Sequence, residues 1–385
     1  MRYAHQCSDG ETDGSDKLTE RIRVLIVGPS LDILGGQAVQ AQLLLQRLQS
    51  SAYVEADFLP VNPRLPGPLR WLQKVKYVRT SATSIVYATN LLMKVRHYDI
   101  VHAFSASYTS YVLAPLPAMI VAKLYGRATV LNYRSGEADD HLKRWRTTAV
   151  PTMCRFADQI AVPSEYLVEV FRSHGLRARA IHNFVPIERI PYRRRTAVRP
   201  LFLSNRNLES LYNVECTIRA FALVHTQFPD AKLTIAGDGS ERRRLEVLAE
   251  HLGLFDAVRF VGRVSNEAMD ELYQSAEIYL NRPKIDDMPG SILEAFAAGI
   301  PVVTTDAGGI PFIVRDGVNG RMVAVADYEG MARAITQLLR EDCLALKLAD
   351  AARSETERLY TWTKDKAQWE RLYRSLLESS ASRDF

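Results

Sequence analysis

The sequence predicts an α/β chain folded as two doubly wound, Rossmann-like domains. Short apolar runs of strand length alternate with amphipathic helical stretches, the pattern of βα units around a parallel sheet. The alternation breaks at residues 186–200, which hold three prolines and Arg193-Arg194-Arg195, and then starts afresh. At 385 residues the chain is too long for one typical core and suits two.

Residues 22–27 form an apolar run ended by Gly28-Pro29, which reads as a buried parallel strand. Residues 37–48 place their apolar side chains on one helical face. Further strands are predicted at 54–59, 100–103, 128–133, 159–162 and 180–182, and helices at 107–124 and 164–173, the latter with Ser164 as N-cap. After the break come strand 201–204, helix 214–227, strand 232–236 ending in Gly237-Asp238-Gly239, and helix 241–252. Strand 258–261 stops at Gly262, and helix 267–275 and strand 277–280 lead to a further helix. Strand 301–304, helix 328–340 and a terminal helix over 363–379, carrying Trp369, Leu372, Tyr373, Leu376 and Leu377, complete the series. The expected divisions are an N-terminal extension (1–20), a first domain (21–190), a second domain (200–361) and a terminal helical segment (362–385).

Composition narrows the function classes. A hydrophobic fraction of 47% with 24% charged residues is that of a soluble globular protein. Cys7, Cys154, Cys216 and Cys343 lack Cys-x-x-Cys spacing, which argues against a zinc site or disulfide framework and fits a reducing compartment. No apolar run is long enough to cross a bilayer; the best, 111–122, holds two prolines and stops at Lys123. The segment before Arg21 is polar and acidic, lacks a signal peptide's apolar core, and is expected to be disordered. Net charge is only +5, and no nucleic-acid partner is expected. The charge is uneven, however. Arg64, Arg70, Lys74, Lys76, Arg79, Lys94 and Arg96 fall in one stretch without Asp or Glu, interleaved with Trp71, Leu72, Val75, Tyr77, Val78, Leu91 and Leu92. Lys143, Arg144, Arg146 and Arg155 add a second basic patch. Such a face can lie on an anionic membrane or be an ordinary solvated helix face, and both readings stay open.

The chemistry concentrates at Asp286-Asp287-Met288-Pro289-Gly290-Ser291-Ile292-Leu293-Glu294. Two carboxylates, Asp286 and Glu294, flank a Pro-Gly-Ser turn that opens a helix. The free N–H groups of a helix start suit phosphate oxygens, and Glu294, one turn further in, can accept hydrogen bonds from a vicinal diol. This stretch resembles the acidic–x7–acidic motif of retaining glycosyltransferases with the GT-B fold, in glycosyltransferase family 4 (group 1). Val302-Val303-Thr304-Thr305-Asp306-Ala307-Gly308-Gly309-Ile310-Pro311 and Asp316-Gly317-Val318-Asn319-Gly320 continue the resemblance.

The resemblance implies two domains facing a central cleft, with the last helix crossing back to the first. It implies that Gly36, in Gly35-Gly36-Gln37 after the first strand, meets a donor diphosphate and frames the acceptor, and that Arg206 neutralises the phosphates. Gly262 and Arg263 would border the nucleotide base. Met288, Gly290 and Ser291 would line the donor site, with Glu294 on the ribose and Asp286 on the transferred sugar. Arg134, where many relatives carry a histidine, would stabilise the leaving phosphate and, with Asp286, form the catalytic pair. His102 and His141 are further cleft candidates. The sequence departs from the family pattern at Asp286, where glutamate is usual, and at Phe312, where an acid is common. It departs again at Leu211-Tyr212-Asn213, where a second phosphate-binding lysine usually follows Arg206; Arg282 or Lys284 are the substitutes. The implied activity is metal-independent, retaining transfer of a sugar from a nucleotide diphosphate, with UDP as the base-rate choice, to a hydroxyl on a sugar or lipid-linked sugar. The nucleotide sugar is then a substrate and no cofactor is required. A cytoplasmic protein, peripheral at the inner face of the membrane and serving polysaccharide or glycolipid assembly, fits that reading. A nucleotide-sugar epimerase on the same fold and a non-catalytic donor-binding relative are the alternatives.

Overall fold

The computed structural model describes residues 21–32, 36–64 and 76–381. The N-terminal extension 1–20, Gly35, the basic-stretch residues Arg70, Trp71, Leu72, Lys74 and Val75, and 382–385 lie outside the described residues, as do the side chains of Lys76, Tyr77, Val78 and Arg79.

Six parallel strands form the first sheet: β1 (Ile22–Gly28), β2 (Val54–Pro60), β3 (Ile100–Ser105), β4 (Ala128–Tyr133), β5 (Gln159–Val162) and β6 (Ala178–Ala180), in the order β2-β1-β3-β4-β5-β6. Six more form the second: β7 (Leu201–Ser204), β8 (Lys232–Ala236), β9 (Val258–Gly262), β10 (Ile278–Leu280), β11 (Val302–Thr305) and β12 (Arg321–Val323), in the order β12-β11-β10-β7-β8-β9. Each order reverses once, between β1 and β3 and between β7 and β10. At such a switch point neighbouring loops diverge to opposite faces, leaving a crevice at the carboxyl ends of the strands.

The central strands are largely apolar because both faces are covered. Val24, Leu25, Ile26 and Val27 of β1 are all fully buried. Val24 and Ile26 point to a cluster with Leu44, Phe104 and Trp369, whereas Leu25 and Val27 point to one with Tyr87, Leu91 and Ala118. Trp369, Leu372 and Tyr373 come from the last helix (Trp362–Ala381), which therefore crosses back and completes the core of the first domain.

Several elements differ from the sequence expectation. The helix expected over 107–124 is two, Thr109–Leu113 and Pro115–Leu124. Pro115 supplies no N–H and restrains Ala114, so the chain breaks there and restarts with proline in the first turn. The strand expected at 180–182 is instead β6, Ala178–Ala180. Long helices at Lys76–Lys94 and Asp342–Leu359 were not assigned from sequence.

The break at 186–200 is a packed connector rather than a loose linker. Arg195 is 5% exposed. Its guanidinium donates to the carbonyls of Tyr273 and Ala276 at 3.0 and 2.7 Å and of Ala298 and Gly299 at 3.0 and 2.9 Å. Those carbonyls end the helices Asn266–Ser275 and Gly290–Ala297, so one buried cation serves two helix C-termini. Glu277, also buried, pairs with Arg193, Arg195 and Arg199 at 2.9, 3.3 and 2.7 Å. Burial pushes Arg195 down to about 10, which leaves it charged at neutral pH.

Candidate active site

The carboxyl ends of both sheets open onto one cleft of about 1500 Å³. Gly36 and Gln37 reach it from the helix after β1 and Arg134 from the end of β4. Arg206 enters after β7, Arg263 after β9, and residues 285–291 with Glu294 after β10. The two helix starts face each other: a Cβ on Gly290 would stand 3.9 Å from the Gln40 amide nitrogen. Gly136 lies so close to the Asp286 backbone that a Cβ there would meet it at 3.2 Å, so the domains touch beside the cleft.

On the second-domain wall, Arg206 Nη2 lies 2.5 Å from Asp286 Oδ2, and Nη1 donates to Ser291 Oγ at 3.2 Å. The guanidinium stacks over the Tyr212 ring at 4.2 Å. Tyr212 thus stands beneath Arg206 where the sequence expectation sought a second cation. Neither substitute cation lines the cleft: Arg282 is buried and donates to the Val325 carbonyl at 2.9 Å, and Lys284 lies 3.4 Å from Ser210 Oγ. Glu294 accepts from Tyr273 Oη at 2.7 Å; that hydroxyl accepts from Asn205, whose side-chain oxygen accepts from Tyr279. Burial raises the Glu294 pKa.

The acidic turn is rigidly backed. Gly309 N–H donates to the Asp286 carbonyl at 2.9 Å. A Cβ on Gly308, at φ +54°, or on Gly309 would collide with the Asp286 or Asp287 carbonyl, so this Gly-Gly pair is what lets the loop after β11 close against the turn. Phe312, at the end of that loop, has its ring 6.3 Å from Tyr166 of the first domain. Met288 is buried beside the cleft, and Gly262 ends β9 with its carbonyl accepting from Gly237 N–H, so that Arg263 and Val264 line the cleft there.

On the first-domain wall Arg134 is held on several sides. Its Nε donates to Asn132 Oδ1 at 2.9 Å, its Nη1 to Asn183 Oδ1, and it lies 5.2 Å from the Phe104 ring centre. Gln37 donates to its carbonyl at 2.8 Å. Asn183 in turn donates to the Met288 carbonyl at 2.7 Å, so Arg134 is tied to the second domain through one amide. Burial pushes Arg134 down to about 10.

Neither histidine candidate is in the cleft. His102 Nε2 accepts from the Asn132 amide at 2.9 Å, which leaves the proton on Nδ1, donated to Tyr373 Oη at 2.8 Å. His141 is buried 2.8 Å from Tyr133 Oη. Burial pushes them down to about 3 and about 4, so both are neutral supports inside the first domain. Gln37, Asn183, Tyr212 and Asp287 were not assigned roles from sequence. Asp287 and Gln37 had a local signal in their places beside Asp286 and Gly36, and Tyr212 in its departure from the family pattern; Asn183 had none.

The family model for glycosyl transferases group 1 matches residues 193–355, and that for glycosyltransferase family 4 matches residues 34–189. The chain is 31% identical over 171 residues to the N-acetyl-alpha-D-glucosaminyl L-malate synthase of Bacillus anthracis, covering 44% of each. It is 34% identical over 177 residues to the D-inositol 3-phosphate glycosyltransferase of Corynebacterium urealyticum, covering 44% of this chain and 41% of that one. The matched stretch thus spans less than half the length of either relative. In fold it is similar to HepE of Anabaena, solved in complex with UDP and glucose, at a TM-score of 0.74 and 16% identity over 92% of this chain and 100% of that one. Sucrose-phosphate synthase of Thermosynechococcus elongatus gives 0.71 and 19% over 93% and 100%.

Proposed function

Since the chain belongs to the group 1, family 4 glycosyltransferases, we propose that it moves a sugar from a nucleotide diphosphate, UDP in the first instance, to a hydroxyl acceptor with retention of configuration. The observation that carries this is the convergence of Arg206, Ser291, Asp286 and Glu294 on one cleft opposite the Gly36 helix start. A departing diphosphate develops negative charge, which Arg206 and the amides at Gly290 and Ser291 meet. Its arrival competes with Asp286 for Arg206 and frees the Asp286 carboxylate for a hydroxyl of the transferred sugar. Glu294, held by Tyr273, receives the ribose diol. UDP is the choice that the UDP-bound HepE structures suggest.

The acceptor half of the cleft is lined by Thr80, Thr83, Ser84, Thr109 and Ser110, hydroxyl groups suited to a saccharide. Outside it, Ile85, Leu92, Met93, Leu124 and Tyr125 are exposed, and Tyr125 donates to the Leu92 carbonyl. With Lys94, Arg96 and Arg127 nearby in sequence, this face fits an anionic bilayer carrying a lipid-linked acceptor. Among the described residues no helix is long and apolar enough to cross a membrane. Co-sedimentation with phosphatidylserine vesicles but not phosphatidylcholine vesicles is expected; failure with both removes the membrane proposal.

The reading is tested by following UDP release from a panel of UDP-sugars, with simple saccharides or water as acceptor. Donor-dependent release that persists in EDTA is expected, because the sequence carries no Asp-x-Asp metal motif. Conversion of the donor to another free nucleotide sugar without UDP release would identify an epimerase instead.

A further inference from the structure

Asp287 is a cleft carboxylate to which the donor chemistry above gives no task; of the two others, Asp32 is paired with Arg64 and Glu137 lies on the facing first-domain segment. It lines the cleft between the acidic turn and the Ser135–Glu137 segment of the first domain. Its position is fixed independently of any ligand. Its N–H donates to Asp286 Oδ1 at 2.9 Å, its Oδ1 accepts from Met288 N–H at 2.8 Å, and its carbonyl is packed against Gly309. The charged and titratable groups acting on or near it are Asp286 on its own turn, Arg134 and Tyr133 at the end of β4, Tyr166 on the helix Glu165–Ser173, and Tyr212. Arg134 is the cation among them, and it is too restrained by Asn132 and Asn183 to leave. Asp287 is therefore a carboxylate built into the acceptor side of the cleft, while Asp286, its neighbour, is turned to the donor side by Arg206.

We propose that Asp287 seats the acceptor hydroxyl and takes up its proton as the glycosidic bond forms. The step balances: the bond from the sugar's anomeric carbon to the diphosphate oxygen breaks and its electron pair leaves with the nucleoside diphosphate. The acceptor oxygen bonds to that carbon, and its proton passes to Asp287 and then to water. Burial and the adjacent Asp286 push Asp287 up to about 6, close enough to neutrality for proton uptake, and the Met288 N–H and Arg134 keep it from rising further. The proposal rests on the transferase reading.

Asp287→Asn keeps the size of the side chain and an oxygen for the Met288 N–H. With UDP-sugar donor and a panel of simple saccharides, it is expected to lower kcat by about 10²–10³-fold. It should leave the UDP-induced rise in Tm in place and abolish the increase of wild-type kcat/KM with pH through about 6. Asp287→Ala should regain rate in formate, which a merely structural side chain would not permit. An Asn variant with wild-type rate and acid limb, an Asn variant that loses UDP stabilisation in parallel with rate, or an Ala variant indifferent to formate overturns the proposal. Absence of UDP release by the wild type across the donor panel overturns the transferase reading itself, and this inference with it.

Discussion

Asp365, in the first turn of the last helix, is fully buried, and Oδ2 has no hydrogen-bond partner there. Burial pushes it up to about 7, against a pull downward from Arg134. Between its ordinary pKa and about 7 the folded chain binds more protons than the unfolded one, so stability falls as pH rises through that window and levels off above it. A displacement of this size corresponds to roughly 4 kcal/mol at most. Asp365→Asn should therefore match the wild type in urea unfolding at pH 4 and exceed it at pH 8; equal stability at pH 8 would contradict this. Single residues were the least legible scale of this sequence. The motif positions 286 to 294 could be found by eye because their spacing is local, whereas Arg206, 80 positions away, came only from the family resemblance. The partners of Arg134 could not, because Asn183 lies 49 positions away and nothing around it marks an interdomain amide. The histidines misled for a related reason: His102 lies within β3 and His141 in the helix after β4, and their rings turn into the core to Tyr373 and Tyr133.

At the scale of elements, most strands were legible because parallel strands buried on both faces are continuous apolar runs; β12, three half-buried residues that begin with an arginine, was not. The helix Asp342–Leu359 was not, since its buried face is mostly small, Ala345, Ala349 and Ala352 with Leu348, and gives a weak periodic signal. The place of the connector was legible from its prolines and arginines, but its packing was not, because its tertiary partners are the carbonyl ends of two helices, which local composition does not reveal. One of those helices, Gly290–Ala297, offers its other end to the cleft. Arg195→Ala is expected to cost roughly 3–5 kcal/mol, since it strips the buried carbonyls and leaves Glu277 short of a partner. Chemical denaturation measures this, and a loss below about 1 kcal/mol would show that the connector does not hold the helix.

For the molecule as a whole, two sheets with opposed switch points create one cleft, and contacts at Gly136–Asp286 and Asn183–Met288 set its width. The last helix joins the core of the first domain and reaches the Arg134 network through Tyr373, His102 and Asn132. The two-domain plan was legible from the break in alternation. The amides and aromatic faces that hold the domains together were not, because they arise only once the halves meet. The account's central claim is that a nucleoside diphosphate is gripped across this cleft by Arg206 and Glu294. Calorimetric titration of UDP into the wild type, Arg206→Ala and Glu294→Ala tests it most directly. Binding to the wild type, weakened by roughly 10–100-fold in each variant from the loss of charge-assisted hydrogen bonds, is the predicted result; equal affinity in all three proteins would contradict it.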